Sequence, residues 1–356
     1  MTPGSEHEAE SSPRRKHEQL ELCSNDGVAF RAKSTLLEEV ELVHDALPEL
    51  ALDDVDLSTQ LLGKTLRAPI VISSMTGGTE ETARVSRDLA LVAERLGLGF
   101  GIGSQRAMAA DPALAWAFDV RGVAPNVLLL GNVGLVQARS MSTRAVRELC
   151  DRIGADALCI HLNPAMELIQ PGGDRDFRGG RETLARLAGE LGLPLVVKET
   201  GSGLSRRVGR VVRELGIATV DVSGAGGTSW VGVETRRARD GARRLGEELW
   251  DWGIPTAASV AMLSELDLAI VATGGLRTGL DVARAIALGA RAGGLAAPCL
   301  RAHKAAGVEG VASYLGDVVD ALRAAHLLTG SRTPDELRRA PRVLGPTLRA
   351  WIDARS

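Results

Sequence analysis

LAIVATGGLRTGLDVARAIALGARAGGLAAPCL, residues 268–300, contains the repeating unit from which the fold can be inferred. Its first apolar run ends in the glycine pair Gly274–Gly275, Gly279 and Asp281 open a helical stretch, and a second apolar run starts at Gly293. Short apolar runs bounded by glycines are typical of buried strands, and the residues between them have the length and periodicity of a helix. This stretch therefore predicts two parallel strands joined by a helix.

The same unit recurs toward the N terminus. Six further apolar runs, each ending in glycines or small polar residues, begin at Pro69, Leu98, Asn126, Ala157, Pro194 and Ala218. Between the first two runs, Val85, Leu89, Val92 and Leu96 are spaced as on one helical face, and Gly97 is a stop signal. Eight strand–helix units predict an α/β fold, a single (β/α)8 TIM barrel, whose active site lies at the carboxyl ends of its strands.

The remaining segments flank or decorate this barrel. Residues 1–13 are polar and predict a disordered tail, and residues 14–356 are assigned to one barrel domain. The stretch from Asn25 to Leu66 is an N-terminal extension, either a cap over the barrel or an oligomer contact. The long loop from Thr228 to Ser264 carries three tryptophans, which indicate a lid, a subunit contact or surface packing. A helical tail follows from Leu300.

Composition excludes several classes of function. A net charge of −3 over 356 residues provides no general field for nucleic acid or an anionic membrane. No apolar run approaches the length of a membrane helix, and the first residues lack the apolar core of a signal peptide. Cys23, Cys150, Cys159 and Cys299 are scattered, which is typical of reduced thiols and predicts a cytoplasmic protein.

The loops after the seventh and eighth strands predict a phosphate site. Gly274 and Gly275 allow the backbone to approach a ligand closely, and the eighth strand ends in Ala296 and Ala297. Helix N-termini at this position in a barrel supply amide donors to phosphate, and Arg277 would add a charge-assisted contact. The alternative is that these glycines only form tight turns.

Small and hydrogen-bonding residues at the other strand ends predict a site for a planar cofactor. They include Met75, Thr76, Gly77, Gly78, Ser104, Asn132, Ser223 and Thr228. Lys198 follows three apolar residues, so its ammonium would be desolvated, and beside a flavin it would stabilise a reduced, anionic ring. A salt bridge to Glu199 is the alternative, but strand alternation places these two side chains on opposite faces.

The fourth strand predicts the substrate end. Alternation places Cys159, His161 and Asn163 on one face, which brings two polar groups to the barrel mouth. A lone histidine is more often a structural core residue, but its position beside Asn163 favours a functional role. Glu167 follows in the loop and could bind Mg²⁺ together with phosphate oxygens, since such a metal needs only one or two protein carboxylates.

These motifs together resemble one known family, the FMN-dependent type 2 isopentenyl-diphosphate delta-isomerases. The resemblance extends from about Arg14 to Trp351. It rests on SMTGG (74–78), GSQR (103–106), HLN-x-x-x-E (161–167), PGGDRDF (171–177), VKETGSGLS (197–205), VSGAGGT (222–228), WGIPTAAS (252–259) and GGLRTGLD (274–281). The resemblance implies reversible conversion of isopentenyl to dimethylallyl diphosphate by reduced FMN, with Mg²⁺ on the diphosphate, NADPH as the reductant, and a tetrameric or octameric homo-oligomer.

The resemblance also implies a role for individual residues. The expected FMN contacts are Met75, Thr76, Gly77, Ser104, Asn132, Lys198, Ser223, Thr228, Gly275, Arg277, Ala296 and Ala297. The expected contacts to the diphosphate substrate are Arg15, Lys16, Ser104, Arg106, His161, Asn163 and Met166. Lys198 and His161 are the expected catalytic residues, and Glu167 is the expected Mg²⁺ ligand.

Two positions depart from the family pattern. Met166 stands where the family has a glutamine, and Gln19 stands where it has a histidine. Methionine cannot make the hydrogen bonds of an amide, which leaves open an FMN-binding relative with altered prenyl-diphosphate activity, or a non-catalytic binder.

A flavin-dependent 2-hydroxy-acid oxidase would need a histidine base near the seventh strand, and none occurs between His161 and His303. A nucleotide dehydrogenase would need a cysteine in the loop after the sixth strand, which has none.

Overall fold

The computed structural model describes Lys16 and residues 18–24, 26–75 and 77–354, and in them the predicted barrel is confirmed. The barrel strands are β1 (Ile70–Ile72), β2 (Gly99–Gly101), β3 (Leu128–Gly134), β4 (Ala157–His161), β5 (Leu195–Lys198), β6 (Thr219–Asp221), β7 (Ala269–Ala272) and β8 (Ala292–Leu295). Each strand pairs in parallel with the next, and β8 closes the barrel against β1. The predicted disordered tail, residues 1–13, lies outside the described residues.

Helices cover the outside of the barrel. They are α1 (Glu80–Leu96), α2 (Arg106–Ala110), α3 (Leu135–Ser140), α4 (Thr143–Ile153), α5 (Pro164–Ile169), α6 (Gly180–Glu190), α7 (Arg206–Glu214), α8 (Trp230–Arg237), α9 (Asp240–Glu248), α10 (Thr256–Leu263), α11 (Gly279–Ala287), α12 (Ala297–Leu328), α13 (Pro334–Leu337) and α14 (Pro346–Asp353). Helix α1 begins after Thr79, whose side chain accepts a hydrogen bond from the Thr82 amide, and ends at the left-handed Gly97 as the sequence predicts.

The strand–helix repeat is irregular after β2. The five-residue α2 is followed by a 3₁₀ turn at Pro112–Ala117, and an irregular segment leads to β3. Pro112 lacks the amide donor of an interior helical residue, and Gly122 and Pro125 disfavour a second helix before β3. Phe118, in the same segment, is fully buried in the main apolar core.

The N-terminal extension contributes side chains to the amino-terminal end of the barrel interior. Inward-facing residues of the strands form a small aliphatic cluster that includes Val71, Leu128 and Val196. A hairpin of Thr59–Leu61 and Lys64–Leu66 adds Leu61 and Leu66 to the same cluster. The hairpin therefore closes the amino-terminal end of the barrel, which leaves the carboxyl end as the open one.

The first part of the extension reaches the opposite end. The Phe30 amide donates to the Gly227 carbonyl at 3.1 Å, and Ala29 forms a bridge with Thr228. Val40–Leu42 then pairs with Arg342–Leu344, so the extension and the C-terminal tail form one two-stranded sheet. The extension thus packs on the barrel at both ends, and its predicted role as an oligomer contact stays a prediction.

The three tryptophans of the long loop after β6 lie in different environments. Trp250 is buried beneath the Arg31 guanidinium, which stacks 3.6 Å from its ring centre. Trp230 begins α8 and lines the cavity described below, whereas Trp252 is 62% exposed. Within the described residues, no helix has the length and apolar character needed to cross a bilayer. All four cysteines are free thiols.

Candidate active site

A cavity of about 560 Å³ opens at the carboxyl end of the barrel, and residues following all eight strands line it. The lining includes the described residues predicted to contact a cofactor, namely Met75, Gly77, Ser104, Asn132, Lys198, Ser223, Thr228, Gly275, Arg277, Ala296 and Ala297. It also includes those predicted to contact a substrate or metal, namely Lys16, Arg106, His161, Asn163, Met166 and Glu167. Thr76 and Arg15 lie outside the described residues. The volume is typical of a site for a cofactor or a small ligand.

His161 is held as a neutral imidazole at the wall of this cavity. The side-chain amide nitrogen of Asn132 donates to the Ile102 carbonyl at 3.2 Å, so the Asn132 amide oxygen faces the imidazole Nδ1 at 2.8 Å. That oxygen can only accept, which assigns the proton to Nδ1 and leaves Nε2 as an acceptor. Burial, and then the charge of Lys198, lower the pKa of His161 to about 3. The imidazole is therefore uncharged at neutral pH.

Lys198 ends β5 with its ammonium inside the cavity. Its Nζ donates to the Glu199 backbone carbonyl at 2.6 Å. The Glu199 carboxylate accepts from the Thr200 amide at 2.5 Å and from the Ser202 amide. Lys198 and Glu199 thus do not form the alternative salt bridge, because strand alternation sends their side chains to opposite faces.

The glycines predicted to form a phosphate site are close-packed backbone positions. Gly274 and Gly275 have φ values of +98° and +85°, which favour glycine. A Cβ atom on Gly275 would lie 2.5 Å from Thr35 Cγ2 and 2.8 Å from the carbonyl carbon of Gly226. The Ala297 amide at the start of α12 also lines the cavity, and the exposed Arg277 lies on the cavity rim. Amides and a guanidinium at this place suit an anionic ligand group.

Glu167 is buried where α5 begins, and three donors surround its carboxylate. Oε1 accepts from the Asn163 side chain at 2.7 Å, and Oε2 accepts from the Asp174 amide at 2.9 Å and from the Gln170 side chain at 3.4 Å. In the described part of the chain, no group of three or more His, Cys, Asp or Glu side chains could hold a metal ion. A magnesium ion at Glu167 would therefore take most of its ligands from phosphate and water.

The structure adds residues that the sequence did not single out. Gln137 and Gln170 bring two amides to the cavity that Met166 also lines. Asp221, the last residue of β6, accepts a hydrogen bond from the Thr273 hydroxyl and lies next to Lys198 in register. The signal available for Asp221 was its position at a strand end in VDVSG, two residues before the predicted Ser223.

Gln19, which stands at the place of the family's histidine, also lines the cavity. It donates to the buried Glu234 carboxylate at 2.8 Å, and Arg237 donates to the other oxygen of that carboxylate at 2.6 Å. These contacts attach the helical residues 18–24 to α8. The N-terminal segment is therefore a wall of the cavity and part of its construction.

The cavity suits the predicted flavin mononucleotide. Its strand ends offer hydroxyls and amides from Ser104, Asn132 and Ser223, the Lys198 ammonium, and the glycine loop with Arg277. A further serine, Ser73, has a buried hydroxyl without a hydrogen-bond partner among the described residues, and it also lines the cavity. Buried polar groups normally have partners, so such a hydroxyl at the wall of a cavity favours a polar ligand.

Comparisons with known proteins identify the family. A family model described as FMN-dependent dehydrogenase matches residues 9–162 and 165–343. A protein of Synechococcus sp. named isopentenyl-diphosphate delta-isomerase is 46% identical, with 95% of this chain and 98% of that protein covered. Proteins of the same name from Methanosarcina acetivorans and Pyrococcus furiosus are 44% and 40% identical, covering 94% and 96% of this chain and 92% and 89% of their own lengths.

Solved structures show a similar fold. A lactate oxidase of Pediococcus acidilactici has a TM-score of 0.68 at 15% identity, with 94% of each chain covered. A flavocytochrome b2 with benzoylformate has a TM-score of 0.67 at 18% identity, with 93% of this chain and 82% of that chain covered. At these identities the likeness concerns the fold alone. The family model and the curated relatives together show that this chain is an isomerase that belongs to the FMN-dependent type 2 isopentenyl-diphosphate delta-isomerase family.

Proposed function

We propose that this chain interconverts isopentenyl diphosphate and dimethylallyl diphosphate, with reduced FMN as the acid/base group and Mg²⁺ on the diphosphate. The observation that carries the proposal is the convergence of the expected flavin-binding and substrate-binding residues on one cavity. The relatives that share this name extend over nearly the whole chain, including the barrel and the N-terminal segment that lines the cavity.

The proposed substrate end combines cations with neutral polar groups. Lys16 and Arg106 would attract the diphosphate, and Asn163 would orient it. Glu167 would hold Mg²⁺ between the protein and the phosphate oxygens, since this small cation prefers oxygen ligands and retains several that are not protein groups. Neutral His161 offers only an acceptor at Nε2, so it would meet a protonated phosphate oxygen or take up a proton when the anion binds.

The proposed flavin end lies along the loops after β5 to β8. The loop at Gly275 and Arg277 and the Ala297 amide at the start of α12 would hold the phosphate of FMN. Lys198 would place a positive charge beside the ring. When bound and reduced, FMN would supply the acid/base edge that adds and removes protons at the allyl unit, and NADPH would be the reductant. The reaction itself involves no net oxidation.

The decisive experiment is an anaerobic assay of isopentenyl diphosphate with purified protein, FMN, Mg²⁺ and either NADPH or dithionite. Formation of dimethylallyl diphosphate only when a reductant is present would support the proposal. If FMN binds and is reduced but no product forms, the isomerase proposal fails for this chain. The departure at Met166 would then favour the second candidate, an altered prenyl-diphosphate activity or a non-catalytic flavin or diphosphate binder.

We also propose a cytoplasmic homo-oligomer, a tetramer or an octamer, that acts on a small prenyl diphosphate and binds neither nucleic acid nor membranes. The charge balance of the chain supports the last part of this proposal, because a net charge of −3 offers no broad attraction to polyanions. Light scattering coupled to size-exclusion chromatography tests the oligomeric state, and a monomer would contradict it.

A further inference from the structure

Three ionisable side chains lie side by side on the inner wall of the barrel, and two of them, His161 and Lys198, line the cavity. His161 on β4 pairs in register with Lys198 on β5, and Lys198 pairs in register with Asp221 on β6. Neighbouring residues of a parallel sheet at the same level point to the same face, so the imidazole, the ammonium and the carboxylate form one row. Asn132 and Thr273 extend this row at its two ends through hydrogen bonds to His161 and Asp221.

Asp221 is the buried acid of this row. Asp221 is 7% exposed as a residue, and Lys198 beside it is 8% exposed. The Oδ1 atom of Asp221 accepts from the Thr273 hydroxyl and from the Ser223 amide at 3.1 Å. These donors hold the carboxylate in place and leave its charge to act on the neighbouring ammonium.

The charges of Asp221 and Lys198 influence each other strongly because both residues are buried. Burial raises the pKa of Asp221, and the Lys198 ammonium lowers it in return. Cys159 also faces this pair, but burial raises the pKa of its thiol to about 12, so it stays neutral. His161 is neutral as well. Asp221 is therefore the one acid of the row whose ionised form can balance the charge of Lys198.

We propose that Asp221 is a positioning residue that acts through Lys198, whose ammonium charge it balances beside the flavin ring. This inference rests on the proposed FMN site. With the carboxylate present, the pair is close to electrically neutral toward the ring. Without it, the uncompensated ammonium favours the anionic reduced flavin over the oxidised one. Asp221 thereby limits how strongly the protein prefers reduced FMN.

The test measures the affinities of the full-length protein for oxidised and for anaerobically reduced FMN, without substrate. Asp221→Asn keeps the shape and one acceptor oxygen but removes the charge. At pH 8, where the Asp221 carboxyl is more fully ionised than at lower pH, we expect the ratio of reduced to oxidised affinity to rise at least tenfold. For a two-electron couple this is a rise of about 30 mV in the flavin potential. A ratio within threefold of the wild-type value, or a lower ratio, would overturn the inference.

A double-mutant cycle shows whether the effect acts through Lys198. In a Lys198→Met background, Asp221→Asn should leave the ratio unchanged, because the partner charge is absent. An equal effect in both backgrounds would mean that the carboxylate acts on the flavin directly, and the proposed role would be wrong. Asp156→Asn is the matched control, since Asp156 pairs with Arg121 and Lys64 at the β4 start, away from the cavity.

Folding is tested within the same set of variants. Removing one partner of a buried charged pair is more harmful than removing both. If Asp221→Asn alone does not fold, a folded Asp221→Asn/Lys198→Met protein supports the pairing, and an unfolded one overturns it. If the wild-type protein binds no FMN in either redox state, the proposed FMN site itself fails. Binding of FMN with an additive cycle would instead remove only the role given to Asp221.

Discussion

Replacing Glu199 by glutamine should remove a loss of stability that the wild-type protein undergoes as pH rises from 4.5 to about 7. Glu199 is 6% exposed, and burial raises the pKa of its carboxyl from 4.5 to about 7 although the Thr200 and Ser202 amides donate to it. The folded chain therefore binds this proton more readily than the unfolded chain does. The contribution of Glu199 to stability is fully present below pH 4.5 and is lost as pH rises toward about 7.

The magnitude follows from the two pKa values. At about 1.4 kcal/mol per pKa unit, the difference between 4.5 and about 7 corresponds to at most about 3 kcal/mol of unfolding free energy. The ionisation of Glu199 also affects the cavity. Thr200 and Gly201, the two residues after Glu199 in the chain, line it. Ionisation of Glu199 thus destabilises a wall of the proposed active site.

Urea unfolding at pH 5 and pH 8 measures this effect on wild type and Glu199→Gln. We expect similar stabilities at pH 5 and a variant more stable by up to about 3 kcal/mol at pH 8. His161 has the opposite dependence below pH 6.5, because its pKa is lowered, but this term is common to both proteins and cancels in their difference. Glu182→Gln, at an exposed position, corrects for the change in net charge. A difference that does not vary with pH would refute the reasoning.

Further predictions concern the ligands. Lys198→Ala should weaken FMN binding at least tenfold in a fluorescence titration, and unchanged affinity would contradict its proposed role. Met166→Gln should raise isomerase turnover, by the equivalent of about 1–3 kcal/mol if an amide contact is restored, whereas an equal or lower rate would argue against a handicap. Gly275→Ala should lower both thermal stability and FMN affinity more than Gly216→Ala does. Gly216 is the control because it has a similar φ of +75° but no described atom within 4 Å of an added Cβ. Equal losses in the two variants would argue against close packing at Gly275. Inorganic diphosphate should bind more tightly as pH falls from 8 to 6, and His161→Gln should flatten this dependence measured by calorimetry.

Strand periodicity explains why so much of the cavity could be predicted from the sequence. Residues two apart on a strand share a face, so Cys159 and His161 both face the inside of the barrel from β4. Asn163 lies beyond the end of β4, directly before α5, and still lines the cavity. A barrel of parallel strands then places every carboxyl end at one opening. A glycine pair at a strand end also indicates a turn with positive φ, and Gly274 and Gly275 have positive φ values.

What the sequence could not show depends on contacts between distant segments. Leu61 and Leu66 resemble any hairpin residues until the barrel closes around them. Thr35 packs against Gly275 although the two residues are far apart in sequence. No local pattern predicts that contact. Similarly, the raised pKa of Glu199 arises from burial by surrounding elements, which a single strand cannot reveal.

Met166 lacks the side-chain amide of the family's glutamine, but two other side-chain amides, those of Gln137 and Gln170, line the same cavity. Gln170 directs its amide nitrogen to Glu167, and Gln137 directs its own to Asp174, both at 3.4 Å. At that length both hydrogen bonds are weak, so either amide can turn toward a ligand at little cost. If Met166→Gln leaves turnover unchanged, one of these two glutamines already supplies the missing amide function. If turnover rises, neither reaches the place that the side chain of residue 166 occupies.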